Sequence, residues 1–254
     1  SVVRYALTGA GAPVVLVHEM GGTLNSWDAV APDLARNHQV LRYDLRGAGL
    51  SEKASGQLVL DDLADHLDAL VRQVGITAPV VIVAAAVGTS IALRHAMKRP
   101  ERVAGIVGFS PVTACPAEKR AGVLAHADRI ETEGLRALAP TSIPNILPEV
   151  LRSDDAAYQA ARARWLANDP RSFAAIYRMF AHLDLTAELA AIHTPCLMIG
   201  ATHDGLRPAA DVKALAGQLP RATFRELPTG HIAAVQTPGL VAETVRGFAA
   251  SLGG

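Results

Sequence analysis

Short β-branched runs that offer nothing to water alternate with longer amphipathic stretches through the first hundred residues, and no other feature limits the fold as strongly. Pro13-Val14-Val15-Leu16-Val17 and Val80-Val81-Ile82-Val83 are continuous apolar runs. A strand with one wet face alternates apolar and polar side chains, so an unbroken run predicts a strand covered on both faces. Gln39-Val40-Leu41-Arg42-Tyr43 and Val103-Ala104-Gly105-Ile106-Val107 predict two more strands. Between them, Ser26 to Arg36 spaces Trp27, Val30 and Leu34 as a helix does. Leu60 to Val74 sets Leu63, Leu67, Leu70 and Val74 on one face, with Asp61, Asp62 and Asp65 toward its positive end. Ile91 to Met97 continues as helix and closes at Arg99-Pro100. Repeated strand–helix–strand units predict an α/β fold with a parallel, doubly wound sheet.

At Thr113 the alternation stops. As far as Ile192 the chain predicts helix alone, punctuated by Pro116, Pro140, Pro144, Pro148 and Pro170. It resumes with Cys196-Leu197-Met198-Ile199, a helix near Ala209 to Leu219, a strand Thr223 to Leu227 and a last helix Leu240 to Leu252. The expected organisation is a core of residues 1–112 and 193–254 with a helical cap, 113–192, inserted into it. With 50% of its 254 residues hydrophobic, the chain has ample material for a core, which excludes a disordered protein. Its 24 Lys+Arg are matched by 24 Asp+Glu, without the basic excess that nucleic acid or an anionic membrane requires. Two cysteines, Cys115 and Cys196, cannot make a disulfide framework and suit a reducing compartment. Ser1 to Tyr5 lack the pattern of a secretory signal, and no apolar run approaches the ~18 residues of a membrane span. The expectation is a cytoplasmic protein whose partner is a small molecule, its oligomeric state left open.

Ligands of open α/β sheets bind beyond the carboxyl ends of the strands. Five such ends carry chemistry here: His18-Glu19-Met20-Gly21-Gly22, Asp44-Leu45-Arg46-Gly47-Ala48-Gly49-Leu50-Ser51, Ala84-Ala85-Ala86-Val87-Gly88, Gly200-Ala201-Thr202-His203-Asp204 and Pro228-Thr229-Gly230-His231. Singly each reads as a turn or a cap. In this order the chain resembles the α/β-hydrolase fold superfamily over nearly its whole length. Asp169-Pro170-Arg171-Ser172-Phe173-Ala174-Ala175, with the compact cap, looks most like the 3-oxoadipate enol-lactonase relatives within it.

The resemblance implies a nucleophile, an acid and a base in that chain order, at Ala86, Asp204 and His231. It implies an oxyanion hole from the backbone N–H groups of Met20 and Val87. His231 would be the general base and Asp204 the group that fixes its tautomer. The reaction implied is hydrolysis of an ester, lactone or activated C–C bond in a small molecule, with a carboxylated one such as an acidic lactone or ring-cleavage product among the candidates. One position departs sharply. The family's elbow reads Gly-x-Ser-x-Gly, and Ala86 stands at the nucleophile, where a methyl group cannot attack a carbonyl.

Three explanations remain open on the sequence: Ala86 replaces a Ser or Cys of a parent enzyme, His231–Asp204 acts on water or a proton directly as in a cofactor-independent lyase or oxygenase, or the pocket is a receptor without turnover. Thr89 and Ser90, a turn further on, read as helix packing, and Cys115 as a small apolar thiol. Glu19 replaces a Gly of the oxyanion loop and reads either as a loop brace or as a pocket carboxylate acting on substrate. The cap arginines Arg129, Arg136, Arg152, Arg162, Arg164, Arg171 and Arg178 read mostly as solvated or paired with Asp154, Asp155 and Glu149, one or two facing inward toward a carboxylate. Trp165, Tyr177, Met179 and Phe180 read as cap core. His18, His203 and His231 lack metal-site spacing and no Gly-x-Gly-x-x-Gly opens the first helix, so neither metal nor nucleotide cofactor is expected.

Overall fold

The unbroken apolar runs lie in the middle of a sheet that buries both of its faces. The computed structural model describes residues 2–152 and 154–253. Among these, β1 (Tyr5–Thr8), β2 (Ala12–Val17), β3 (His38–Tyr43), β4 (Val80–Ala85), β5 (Val103–Phe109), β6 (Cys196–Ala201) and β7 (Ala222–Leu227) form one sheet in the order β1-β3-β2-β4-β5-β6-β7. All neighbours pair in parallel except β1, which runs antiparallel to β3.

Alternate residues of one strand enter two different cores. On β4, Val80, Ile82 and Ala84 join the cluster holding Leu63, Leu67, Ile91 and Val212, whereas Val81, Val83 and Ala85 join the one holding Leu34, Val241 and Val245. The first face is thus covered by α2 (Leu60–Gln73), α3 (Val87–Lys98) and α8 (Ala209–Ala216). The second is covered by α1 (Ala31–Leu34) and α10 (Pro238–Ser251), with the single turn α9 (Ala233–Gln236) beside it. A doubly wound sheet with an inserted helical segment is therefore the fold.

The insertion between β5 and β6 holds α4 (Ala117–Glu133), α5 (Leu135–Ile146), α6 (Asp155–Leu166) and α7 (Pro170–Ala181) around a third apolar cluster. Its two ends meet in an antiparallel bridge, Ala114 with Asp184, where Cys115 N–H donates to Leu183 O (2.9 Å) and Leu185 N–H to Thr113 O (2.8 Å). The reading of helix alone missed this bridge.

Four other expectations need correction. The helix expected over Ser26 to Arg36 is a 3-10 turn (Leu24–Trp27) followed by α1, because Pro32 has no N–H to donate to the carbonyl of Asp28. Pro140 and Pro144 lie inside α5 and do not end it; burial of Leu138, Ala139 and Ile143 holds that helix across both missing bonds. The helix at Ala209 stops at Ala216, short of Leu219. Strand β1 was not foreseen, since Tyr5-Ala6-Leu7-Thr8 is an exposed edge without a buried run.

Below the sheet's carboxyl end, the loop after β3 is organised by Asp44, which is fully buried. Its carboxylate accepts from Leu24 N–H (2.7 Å) and Leu50 N–H (2.8 Å) and lies 3.4 Å from the Arg4 guanidinium. Gly49 has φ 51°, and a Cβ there would stand 2.1 Å from Asp44 Oδ2, so this turn accepts only glycine. No helix among the described residues is long and apolar enough to cross a membrane. Asp44→Ala, which strands the buried Leu24 N–H, the part-buried Leu50 N–H and Arg4, is expected to lower stability by about 3 kcal/mol, read as a fall in the urea midpoint at unchanged slope.

Candidate active site

The chain order of the sheet reverses between β2 and β4, and a doubly wound sheet opens a crevice at such a point. Ala86 stands there, between the end of β4 and the first residue of α3. Its backbone has φ 47° and ψ −119°, a region that residues with a side chain seldom enter and that costs about 1–3 kcal/mol. The turn is held by Ala86 N–H to Phe109 O (2.9 Å) and Thr89 N–H to Ala86 O (3.0 Å). Gly88 permits it, because a Cβ there would lie 2.8 Å from His18 O and 2.9 Å from Val17 O. The Val87 N–H is among the first of α3, where the helix leaves such groups without an internal partner. Thr89 and Ser90 are buried and bond to the carbonyls of Ala84 and Val112, in packing roles.

Beyond β6 and β7, Asp204 and His231 meet. His231 Nδ1 lies 2.8 Å from Asp204 Oδ2, while Asp204 Oδ1 accepts from Leu206 N–H (2.9 Å) and Arg207 N–H (3.0 Å). Both carboxylate oxygens are thus committed. The proton of the neutral imidazole sits on Nδ1, and Nε2 has no partner among the described residues, on a side chain 14% exposed. Burial alone pushes the Asp204 carboxyl up, but the hydrogen bond and charge of His231, together with Ser110 and the Arg207 N–H, outweigh it, and the group titrates below its ordinary value. Arg207 was not foreseen; its Nε–H donates to Pro111 O (2.8 Å), tying the acid's loop to the end of β5. Ser110, also unforeseen, repeats at the end of β5 the φ of 47° found at Ala86.

The loop after β2 is braced from two sides. His18 is buried, its Nδ1–H donating to Glu19 O (2.7 Å) and its Nε2 accepting from Leu45 N–H (3.0 Å), so it is structural. The Glu19 carboxylate folds back beneath the loop, where Oε1 accepts from Ser26 Oγ (2.8 Å), and a Cβ on Gly22 would fall 2.2 Å from that oxygen. From the other side Asn168 Nδ2 donates to Gly21 O (2.9 Å), and Trp165 and Phe173 close over Gly21. Met20, between them, is half-buried.

Trp165, Phe173, Tyr177 and His126 form an edge-to-face chain through the insertion's core. Met179 and Phe180 pack instead with the cluster on the sheet. Cys115 is buried, and burial pushes its thiol up, away from reactivity. Arg129 pairs with Glu133, Arg152 with Asp155, and Arg178 with Asp128 and Glu131. Asp154, expected to pair with an arginine, instead caps α6 by accepting from Ala157 N–H. Arg136, Arg162 and Arg171 are exposed, and Arg164 is half-buried.

This architecture is the α/β-hydrolase fold. A thermophilic esterase of Thermogutta terrifontis superposes with a TM-score of 0.92 at 26% identity, over 98% of this chain and 93% of its own. The enol-lactonase of Burkholderia xenovorans superposes with a TM-score of 0.90 at 23% identity, over 98% and 96%. RutD of Azorhizobium caulinodans, a protein named for carbamate hydrolysis, is 28% identical over 96% of this chain and 93% of its own length. Within that fold, the chain belongs to the serine aminopeptidase S33 family, whose model matches residues 9–230. The likeness to α/β-hydrolases, drawn from the order of five strand ends, is thereby borne out.

A carboxyl whose folded pKa is depressed adds stability above its unfolded value, near pH 3.9, and that contribution is lost as the pH falls through the folded value. The stability gap between Asp204 and Asp204→Asn, about 2 kcal/mol at pH 7, is therefore expected to narrow below roughly pH 4 in urea titrations across the acid range.

Proposed function

We propose that this site hydrolyses an ester, lactone or activated C–C bond of a small molecule held under the helical insertion, residues 113–192, which acts as a cap. The observation that carries the reading is the strained turn at Ala86, at the switch point of the sheet, together with an Asp–His pair beyond β6 and β7 whose Nε2 has no partner among the described residues. A sharp turn of this kind presents the side chain at 86 and the N–H of Val87 together. A backbone that served neither purpose would relax to an ordinary helix start.

The steps follow from the groups present. The substrate carbonyl oxygen takes hydrogen bonds from the N–H groups of Met20 and Val87, which strengthen as that oxygen becomes an oxyanion. A hydroxyl at position 86 gives its proton to His231 Nε2 and attacks the carbonyl carbon. Asp204 stabilises the imidazolium without taking its proton. His231 then returns the proton to the leaving group, and water repeats the sequence on the acyl-enzyme. None of these steps calls on a metal or a nucleotide. In the chain as written the methyl of Ala86 removes the covalent route. Binding and the oxyanion donors stay, and the only nucleophile left to His231 is water.

Ala86→Ser is accordingly expected to raise turnover by several orders of magnitude on a panel of esters, lactones and vinylogous diketones, since losing a triad nucleophile costs about 10⁶-fold in comparable systems. Within the serine form, Asp204→Asn should lower kcat by about 10⁴-fold. Faster turnover by the alanine form than by the serine form overturns the covalent reading and assigns the chemistry to His231 and Asp204 acting directly on water or a proton. Binding without turnover by either form makes the site a receptor.

A further inference from the structure

Glu19 is 3% exposed, and only half of its carboxylate is used. Oε1 accepts from Ser26 Oγ, while Oε2 has no hydrogen-bond partner among the described residues. A buried carboxylate oxygen without a donor is unfavourable, and few such atoms persist in folded proteins. Glu19 lines a small cavity together with Met20, Arg164, Trp165 and Ile232. The guanidinium of Arg164, on the last turn of α6, makes no hydrogen bond or ion pair with any described residue. Burial lowers its pKa, and the charges of Glu19 and Asp28 work against that. Of the eight arginines in residues 113–192 it is the one half-buried without a partner among the described residues, and it stands at the loop after β2.

Glu19, with an unused acceptor, and Arg164, with unused donors, therefore line one space without pairing with each other. The charges of the pair cancel. A carboxylate placed there would meet Glu19 as a like charge, and an ammonium would meet Arg164. A neutral group that both donates and accepts satisfies the two together. The cavity has room for about one water molecule, the size of a terminal amide nitrogen or a hydroxyl. Its walls also fix its place. Met20 belongs to the loop proposed to hold the carbonyl oxygen, and Ile232 is the residue after His231, so two walls of the space come from the segments that carry the proposed oxyanion donor and base.

We propose that Glu19 and Arg164 form a subsite for an uncharged, hydrogen-bonding end of the substrate, a primary amide or a hydroxyl, and that they select against carboxylated substrates. This rests on the reading of the space over Ala86 as the substrate pocket. It gives Glu19 a second use besides bracing Ser26, and it replaces the expectation that an inward arginine clamps a carboxylate.

Paired ligands test it: benzyl esters of half-amides and of the matching half-acids, with two to four methylenes between the carbonyl groups. Calorimetry is run on the chain as written, which lacks a covalent nucleophile, and the esters are checked for hydrolysis after each titration. At one length or more, the half-amide is expected to bind at least about tenfold tighter than its half-acid. Glu19→Gln keeps the acceptor for Ser26, turns the unused oxygen into a donor and removes the like charge, so the half-acid should gain and the ratio collapse or invert. Arg164→Met should weaken the half-amide about tenfold without rescuing the half-acid, and it tests the proposal should Glu19→Gln fail to fold. Equal affinity at every length, no binding of either ligand, or an unchanged ratio in Glu19→Gln overturns the subsite and leaves the cavity to a resident water. A half-amide preference with no turnover in the serine form defeats the hydrolase reading alone; turnover with no preference defeats the subsite alone.

Discussion

The contact between α3 and β2 governs the rest of the molecule. Gly88 lies so close to the carbonyls of Val17 and His18 that no side chain fits between them. Helix α3 must then start directly above the end of β2, and the single residue joining it to β4 has to turn with a positive φ. One steric constraint thus brings the loop at Met20 and the N–H of Val87 to the same crevice. The apolar sheet beneath supplies the rigidity: with β4 buried along both faces, its end cannot drift without opening two cores at once.

Polar groups around that crevice divide into those that set backbone and those left free to act. Asp44, His18 and Arg207 spend their hydrogen-bonding capacity on loops, which fixes the strand ends without placing chemistry at them. Asp204 spends one oxygen on its own loop and the other on His231, so the imidazole is oriented by a group that is itself immobile. Among the unspent atoms of the described residues are Nε2 of His231, Oε2 of Glu19 and the guanidinium of Arg164.

Much of this was legible in the sequence because it rests on local signals. A run such as Val80 to Val83, short and β-branched, reads as a doubly covered strand, and the family resemblance carried by the strand-end residues singles out Asp204 and His231, which meet at 2.8 Å. What escaped depends on contacts between distant residues. Asn168 grips Gly21 across 147 positions, and nothing in its neighbourhood announces that role. Strand β1 exists because β3 offers an edge to pair with, while its own residues stay exposed. The prolines of α5 misled for the same reason: local chemistry says break, and burial of Leu138 and Ile143 says continue. Glu19 could be seen as an anomaly, but which oxygen it spends and which it keeps is a tertiary fact.

The bridge between Ala114 and Asp184 gives the helical insertion a narrow neck. A segment whose ends are already zipped together can change in length at little entropic expense to the core, because the closure term grows only with the logarithm of loop length. Diversification through the insertion is nonetheless not free. Asn168, Trp165 and Phe173 reach out of it to hold the loop at Gly21, so any replacement must rebuild that grip. Descendants of this fold that exchange the insertion are therefore expected to keep two things together, the neck and one side-chain amide on the loop after β2, while everything else above the crevice is open to change.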